Sequence, residues 1–290
     1  MASSVATLNR SNDAYLNANV FDLFSLKERV VVITGGARGI GLALGFAVAE
    51  AGGVPVMIDA NGQPHGHFQI LQKMCPKMKL YVSDVTNYER LEKTFNEIIA
   101  EYGRIDGCIT AAGICPDQPF LERSPASVKR CFDINIAGTF FTTQLAARQM
   151  DKQAKQSSAA PSASKGSIVL IASIAAHRAS KGQFLSDYCT SKGAVASMAK
   201  ALAVELAEKS IRVNYISPGY IMTDMTLAIS DTRPGLAKIF VDDPPMKRMG
   251  DRTDLKGAAV YLLSDSSAYM TGGELLITGG LHAGLYDEVA

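Results

Sequence analysis

Arg29-Val30-Val31-Val32-Ile33 runs directly into Thr34-Gly35-Gly36-Ala37-Arg38-Gly39-Ile40-Gly41, and a helix pattern from Leu42 to Ala51 follows. A continuous apolar, β-branched run reads as a strand buried on both faces, the form strands take inside a parallel sheet. A buried strand, a glycine-rich turn and a helix make the first βα half of a dinucleotide-binding unit. Glycines let a backbone approach a pyrophosphate, and the helix N-terminus offers free N–H groups and the positive end of its dipole. The bland alternative is an ordinary βα connection that happens to be rich in glycine. Three glycines in register between a buried strand and a helix weigh against it.

Val54 to Ile58 reads as the second strand, ending at Asp59. An acidic residue about 20 positions after the glycine turn is placed to accept hydrogen bonds from a ribose diol and to repel a 2′-phosphate. Asp59 therefore favours NAD(H). Arg38 is the counter-signal, since a guanidinium in the glycine turn could face the phosphate of NADP(H). His65-Gly66-His67 invites a metal reading, but no third ligand is evident nearby, and a surface loop from Asn61 to His67 is the plainer account. No metal site is expected.

Leu80 to Thr86 reads as the third strand running into a turn, with an amphipathic helix from Tyr88 to Tyr102 behind it. Asp84, beside Val85, sits where open parallel sheets bind ligands; its alternative role is the N-cap of that helix. Ile105 to Ile109 is the fourth strand, and the small residues Thr110-Ala111-Ala112-Gly113 after it let a cofactor lie close to the backbone. A long helix starting near Ser127 contains Asp133-Ile134-Asn135-Ile136-Ala137-Gly138. Asn135 is out of place there by propensity, because its amide competes for backbone hydrogen bonds. It reads either as a satisfied core polar group or as a functional kink or water site. Residues 151–166 turn to Lys, Gln, Ser, Ala and Pro, a solvated surface insertion.

Ser167 to Ala172 is the fifth strand, and Ser173 stands at its end, 15 residues before Tyr188. His177, Arg178 and Gln183 fall between them. Tyr188-Cys189-Thr190-Ser191-Lys192 places a phenol and an ammonium four residues apart, next to a helix-forming run from Gly193 to Lys209. On a helix that spacing stacks the two on one face, and a nearby ammonium favours the phenolate of a group that is free near ~10. Alone, the pair is weak evidence, and an exposed helix contact is the plainer reading. A sixth strand, Arg212 to Ile216, leads into Ser217-Pro218-Gly219-Tyr220-Ile221-Met222-Thr223. Residues 224–250 read as an excursion able to close over a ligand, and Glu274 to Gly280 is the last strand.

The totals agree with one α/β domain over residues 25–290 behind an N-terminal arm, residues 1–24. A formal charge of +1 over 290 residues argues for neither nucleic acid nor an anionic membrane as partner, and no apolar run reaches transmembrane length. The five cysteines show no C-x-x-C spacing and the N-terminus carries no signal pattern, so a reducing, cytoplasmic setting is expected.

Strands and helices alternate almost throughout, which predicts a doubly wound parallel sheet of about seven strands, a Rossmann fold. The set T-G-G-A-R-G-I-G at 34–41, Asp84, A-A-G at 111–113, Asn135, Ser173, Y-C-T-S-K at 188–192 and P-G-Y-I-M-T at 218–223 resembles, in order, the short-chain dehydrogenase/reductase family over about residues 25 to 282. The I-S-P-G-Y-I-M-T turn, P-M-K-R-M-G at 245–250 and the Ser173-to-Tyr188 spacing look most like the fungal polyol dehydrogenases and ketose reductases of the arabinitol and sorbose kind. Two positions depart from the family pattern: Thr110 stands where an Asn is usual, expected to bond backbone through its hydroxyl, and Thr278 where an acid is usual.

The resemblance implies roles. Tyr188 is the acid for carbonyl reduction and the base for alcohol oxidation; Lys192 lowers its pKa and holds the nicotinamide ribose. Ser173 binds the substrate oxygen, and Asn135 holds a water in a proton relay from Lys192. Thr34, Gly35, Gly39, Ile40, Gly41 and Asp59 hold the adenosine half, with Asp84 and Val85 near adenine and Ala111, Ala112 and Gly113 along the cofactor. Pro218, Gly219, Ile221 and Thr223 border the nicotinamide. It further implies an alcohol or ketone substrate and a homodimer or homotetramer, towards which the apolar tail Leu275–Leu285 points. A ketoreductase of an acyl-chain or secondary-metabolite ketone is the alternative, kept open by Ile114, Met222, Met225 and Ile229. A non-redox regulator or cyclase on the same fold is the alternative of another class.

Overall fold

A computed structural model describes residues 14–155, 164–224, 226–227 and 233–284. Met225, Ile229, Leu285, residues 156–163 of the 151–166 insertion and the first part of the N-terminal arm lie outside the described residues. Seven parallel strands form one sheet: β1 (Val30–Thr34), β2 (Val54–Asp59), β3 (Lys79–Val82), β4 (Gly107–Thr110), β5 (Gly166–Ile171), β6 (Ile211–Pro218) and β7 (Glu274–Ile277), in the order β3-β2-β1-β4-β5-β6-β7. This is the doubly wound α/β architecture. Register is fixed across the centre by Val31 against Gly107 and Pro55, and by Thr34 against Thr110 and Ile58.

The unbroken apolar character of β1 has a direct cause. Val30 and Val32 face one core, with helices Tyr88–Tyr102, Thr139–Lys152 and Ser186–Ala207; Val31 and Ile33 face the other, with helices Gly39–Glu50, Phe68–Met74 and Lys256–Leu263. Alternate residues of a strand point to opposite faces, so a strand covered on both sides must be apolar at every position.

The chain reverses its direction of winding between β1 and β4, and ligands bind outside the carboxyl ends of the strands at such a switch. The glycine turn and the Ala111–Gly113 run flank that point.

Several boundaries differ from the sequence reading. The tyrosine-bearing helix begins at Ser186, so Tyr188 and Lys192 both lie inside it. Helices at Phe68–Met74, Pro234–Asp242 and Lys256–Leu263 were not assigned from sequence. Asn87 caps the Tyr88–Tyr102 helix, accepting the Arg90 N–H at 3.0 Å, and Asp84 instead holds the turn before it through the Thr86 N–H and hydroxyl.

Candidate active site

The first part of the site is made of backbone. Gly35, at φ 67°, lies so close to the run after β4 that a Cβ there would stand 2.7 Å from Ala112 N and 2.8 Å from the Ala111 carbonyl. A Cβ on Gly41 would stand 2.1 Å from the Gly35 carbonyl oxygen, whereas one on Gly39 would meet nothing within 4 Å. The turn is thus packed on its protein side and open at Gly39. Arg38 is extended and exposed at the start of the Gly39–Glu50 helix, and no side chain caps that helix. Open space beside uncapped N–H groups fits a dinucleotide pyrophosphate.

Thr34 ties the two sides together, its carbonyl accepting the Ala111 N–H at 3.2 Å and its hydroxyl the Ala112 N–H at 3.4 Å. Asp59 accepts the Ala37 N–H at 3.0 Å and the Asn61 N–H at 2.9 Å, so its carboxylate already braces the glycine turn. Ile40 is half-buried against the core, Val85 is buried, and Asp84 is exposed at the end of β3. The Thr110 hydroxyl departs from expectation: it is buried without a hydrogen-bond partner.

On the β6 side, Pro218 pairs with Ile277, and the Gly219 N–H reaches the Ile277 carbonyl at 2.9 Å. Ile221 is buried beside Gly250, and the Thr223 N–H is held by the Thr226 hydroxyl at 2.7 Å.

The second part is made of side chains. Asn135 lies in a π-helical stretch, Asp133–Gly138, joining Pro125–Phe132 to Thr139–Lys152. Such one-turn widenings concentrate at functional sites. Its amide closes a ring with Ile114, accepting the N–H and donating to the carbonyl, each at 2.9 Å, and also donates to the Ser191 hydroxyl at 3.0 Å. Lys192 is buried and donates to the Ile171 carbonyl at 2.8 Å. A Cβ on Gly113 would lie 3.3 Å from Asn135 Oδ1 and 3.7 Å from Lys192 Nζ, so both polar groups border the same glycine.

Ser173 is buried, with its hydroxyl accepting the Ala175 N–H at 3.1 Å, and its side chain lies near enough to the Tyr188 phenol to act on its titration. The Lys192 ammonium lies 5.7 Å from the centre of the Tyr188 ring. Asn135, Ser173, Tyr188 and Lys192 are thereby gathered beside the backbone cradle.

Their electrostatics correct one expectation. Lys192 does not pull the Tyr188 phenol down in this structure. Burial, reinforced by the nearby Cys115, pushes the phenol well above its ordinary value, and the neighbouring Ser173 side chain opposes the rise. Burial also lowers Lys192 to about 8, which weakens the ammonium as an electrostatic partner. A low-dielectric setting disfavours both charged forms.

Three further residues escaped the sequence reading. Cys115 lies near Tyr188 and Lys192, with burial raising its thiol to about 12. Arg123 and Asp187 form an ion pair with side chains only 3% and 2% exposed. A charged residue beside Tyr188 is the sole hint the sequence offers, and its partner stands 64 positions away.

Known proteins resemble the whole arrangement. Residues 35–282 match the family described as Enoyl-(Acyl carrier protein) reductase. An NADP-dependent mannitol dehydrogenase of Hypocrea jecorina is 31% identical over 97% of this chain and 98% of its own length. A sorbose reductase of Schizosaccharomyces pombe is 34% identical over 89% of this chain and 97% of its own. The crystal structure of a short-chain type dehydrogenase/reductase from Mycobacterium marinum superimposes with a TM-score of 0.80 at 32% identity, covering 92% of this chain and all of that one.

Proposed function

This chain belongs to the short-chain dehydrogenase/reductase family as an alcohol dehydrogenase or ketoreductase, and from that premise we propose that it interconverts a polyol and a ketose by hydride transfer with NAD(P)(H). The bound nicotinamide would supply or accept the hydride. Tyr188 donates the proton to the carbonyl oxygen in reduction, and the pressure of its surroundings towards the neutral phenol suits that role. Ser173 holds the same oxygen as negative charge develops on it. Lys192 holds the nicotinamide ribose, and Asn135, which shares the border of Gly113 with it, keeps the path for a proton relay.

The observation that carries this reading is the contact of Ser173 with the Tyr188 phenol, with Lys192 over the ring, beside a glycine cradle open at Gly39. For the cofactor, Asp59 supports NAD(H): its carboxylate sits at the end of β2 against the glycine turn, and its charge opposes a 2′-phosphate. Arg38 and the NADP-dependent relative support the NADP(H) reading. The polyol/ketose choice rests on the mannitol and sorbose enzymes named above. A ketoreductase of a lipophilic or acyl-chain ketone is the second reading, favoured by the exposed Phe184 and Met222. The half-covered strand β7 at the sheet's edge supports a homodimer or homotetramer, and five unpaired cysteines a cytoplasmic setting.

The test is turnover of a ketose and lipophilic-ketone panel with NADH and with NADPH, by the parent and by Tyr188→Phe. The expected result is ketose reduction, preferring NADH, that falls by a factor on the order of 10³ or more in Tyr188→Phe. Retained turnover in that variant overturns the mechanism, and a strong NADPH preference overturns the weight placed on Asp59.

A further inference from the structure

We infer that the buried Arg123–Asp187 pair is a positioning device for Tyr188, clamping the first turn of the tyrosine helix to the loop after β4 so that the phenol keeps its place against Ser173. The inference rests on the reading of Tyr188 as the acid and base.

Asp187 immediately precedes Tyr188 and accepts its N–H through Oδ1 at 2.7 Å. The first N–H groups of a helix lack partners within it, and no side chain caps this helix from Leu185. The Asp187 carboxylate supplies the bond from inside the first turn, where the helix dipole favours a negative charge. Its other oxygen takes Nη1 of Arg123. Nη2 of Arg123 donates to the Phe184 carbonyl at 2.5 Å and to the Pro116 carbonyl at 3.3 Å. One planar guanidinium therefore joins the loop that follows Gly113, the segment that follows Ser173 and the turn that carries Tyr188. The same two segments meet again where the Phe184 N–H donates to Asp117 at 2.8 Å.

Stability alone is a poor account of the pair. Removing two charges from water offsets most of their attraction, and an apolar pair of similar volume is often as stable or more so. Here the desolvation is also incompletely repaid, because Arg123 Nε is buried without a partner. A direct electrostatic effect is a poor account too. Neither charge is among the groups that move the Tyr188 phenol, whereas Asp187 does act on the thiols of Cys131 and Cys189. What the pair does for Tyr188 is fix where it stands. Placement matters steeply, since a displacement of about 1 Å can reduce a rate by roughly 100-fold.

The decisive variant is Arg123→Met combined with Asp187→Ala, which removes both charges and strands neither. The expected result is a kcat lower by about 10- to 100-fold. The dinucleotide dissociation constant and thermal midpoint should stay near those of the parent, and the primary deuterium isotope effect on kcat should rise as hydride transfer becomes limiting. A folded double variant with parental kcat and isotope effect overturns the inference. If the double variant does not fold, Arg123→Lys carries the test, since it keeps the charge facing Asp187 and loses the fork. A lowered kcat with unchanged cofactor binding then supports the clamp, and a parental kcat overturns it. Tyr188→Phe in the same assay separates the two failures. If that variant is inactive and the clamp variants are not, only the clamp falls; if it turns over normally, the role of the phenol falls and takes the clamp with it.

Discussion

The two halves of the site are built from different material. The cradle between β1 and β4 is backbone against backbone: Gly35 presses on Ala111 and Ala112, and Gly41 on Gly35. The tyrosine half is held by side chains, bonded to neighbouring backbone and to one another, with Asn135, Ser173, Tyr188, Lys192 and the Arg123–Asp187 pair gathered from several segments. A backbone site is specified by what a residue lacks, and almost any added atom damages it. A side-chain site is specified by what each residue carries, and its scaffold positions are comparatively tolerant. Substitutions of one kind should therefore have opposite consequences in the two halves.

Among substitutions that probe this contrast, the largest effect is expected at Gly41. A methyl there must displace the Gly35 carbonyl, a backbone atom with no freedom to swing away. Gly41→Ala should lose about 3 kcal/mol of stability in chemical denaturation. Dinucleotide affinity, read by fluorescence titration, should fall on the order of 100-fold, about 2.7 kcal/mol. Near-parental binding would show that the cradle yields, and the distinction between the halves would lose its basis.

A smaller effect, and one with a sign, belongs to Lys192. Burial holds its ammonium at about 8, against about 10.4 for a free lysine. Between those values the unfolded chain binds a proton that the native chain does not, so native stability rises with pH across the window. Below pH 8 the native protein carries the full penalty of a buried charge, and above about 10.5 the penalty is gone. Relative to Lys192→Met, the cofactor-free parent should gain about 2 kcal/mol between pH 7.5 and pH 10 in paired denaturation curves. A gap independent of pH would mean that the ammonium is better solvated than its 6% exposure implies.

The same contrast decides what the sequence disclosed. Val30 to Ile33 could be read because both faces of β1 are covered, and the glycines because their identity is itself the steric requirement. Tyr188 and Lys192 could be read because one turn of helix brings them together, and Asn135 because it sits badly in a helix. The direction of the Tyr188 shift could not be read: spacing reveals the nearby ammonium but not the burial that outweighs it. Asp84 and Asn87 are both good capping residues, and only the backbone decides between them. A hydroxyl at Thr110 suggests a backbone partner, but whether one stands within reach is set by the fold, and here none does. The helices Phe68–Met74 and Lys256–Leu263 are too short for their periodicity to stand out. Arg123 and Asp187 meet only through the fold.

The smallest effect offers the sharpest contrast, because it repeats the Gly41 substitution in the other half. Gly193 follows Lys192 in the interior of the Ser186–Ala207 helix, and a Cβ there would meet nothing within 4 Å. Glycine in a helix interior is worse than alanine because it loses more backbone freedom on folding. Gly193→Ala should therefore stabilise the protein by about 0.5–1 kcal/mol. Its kcat and dinucleotide affinity should match the parent, since the substitution leaves Lys192 Nζ on the Ile171 carbonyl and the phenol on Ser173. One methyl group would then dismantle the cradle and strengthen the tyrosine helix. A loss of stability or of kcat in Gly193→Ala would show that this helix is as intolerant of added atoms as the glycine turn, and that both halves of the site depend on close backbone approach.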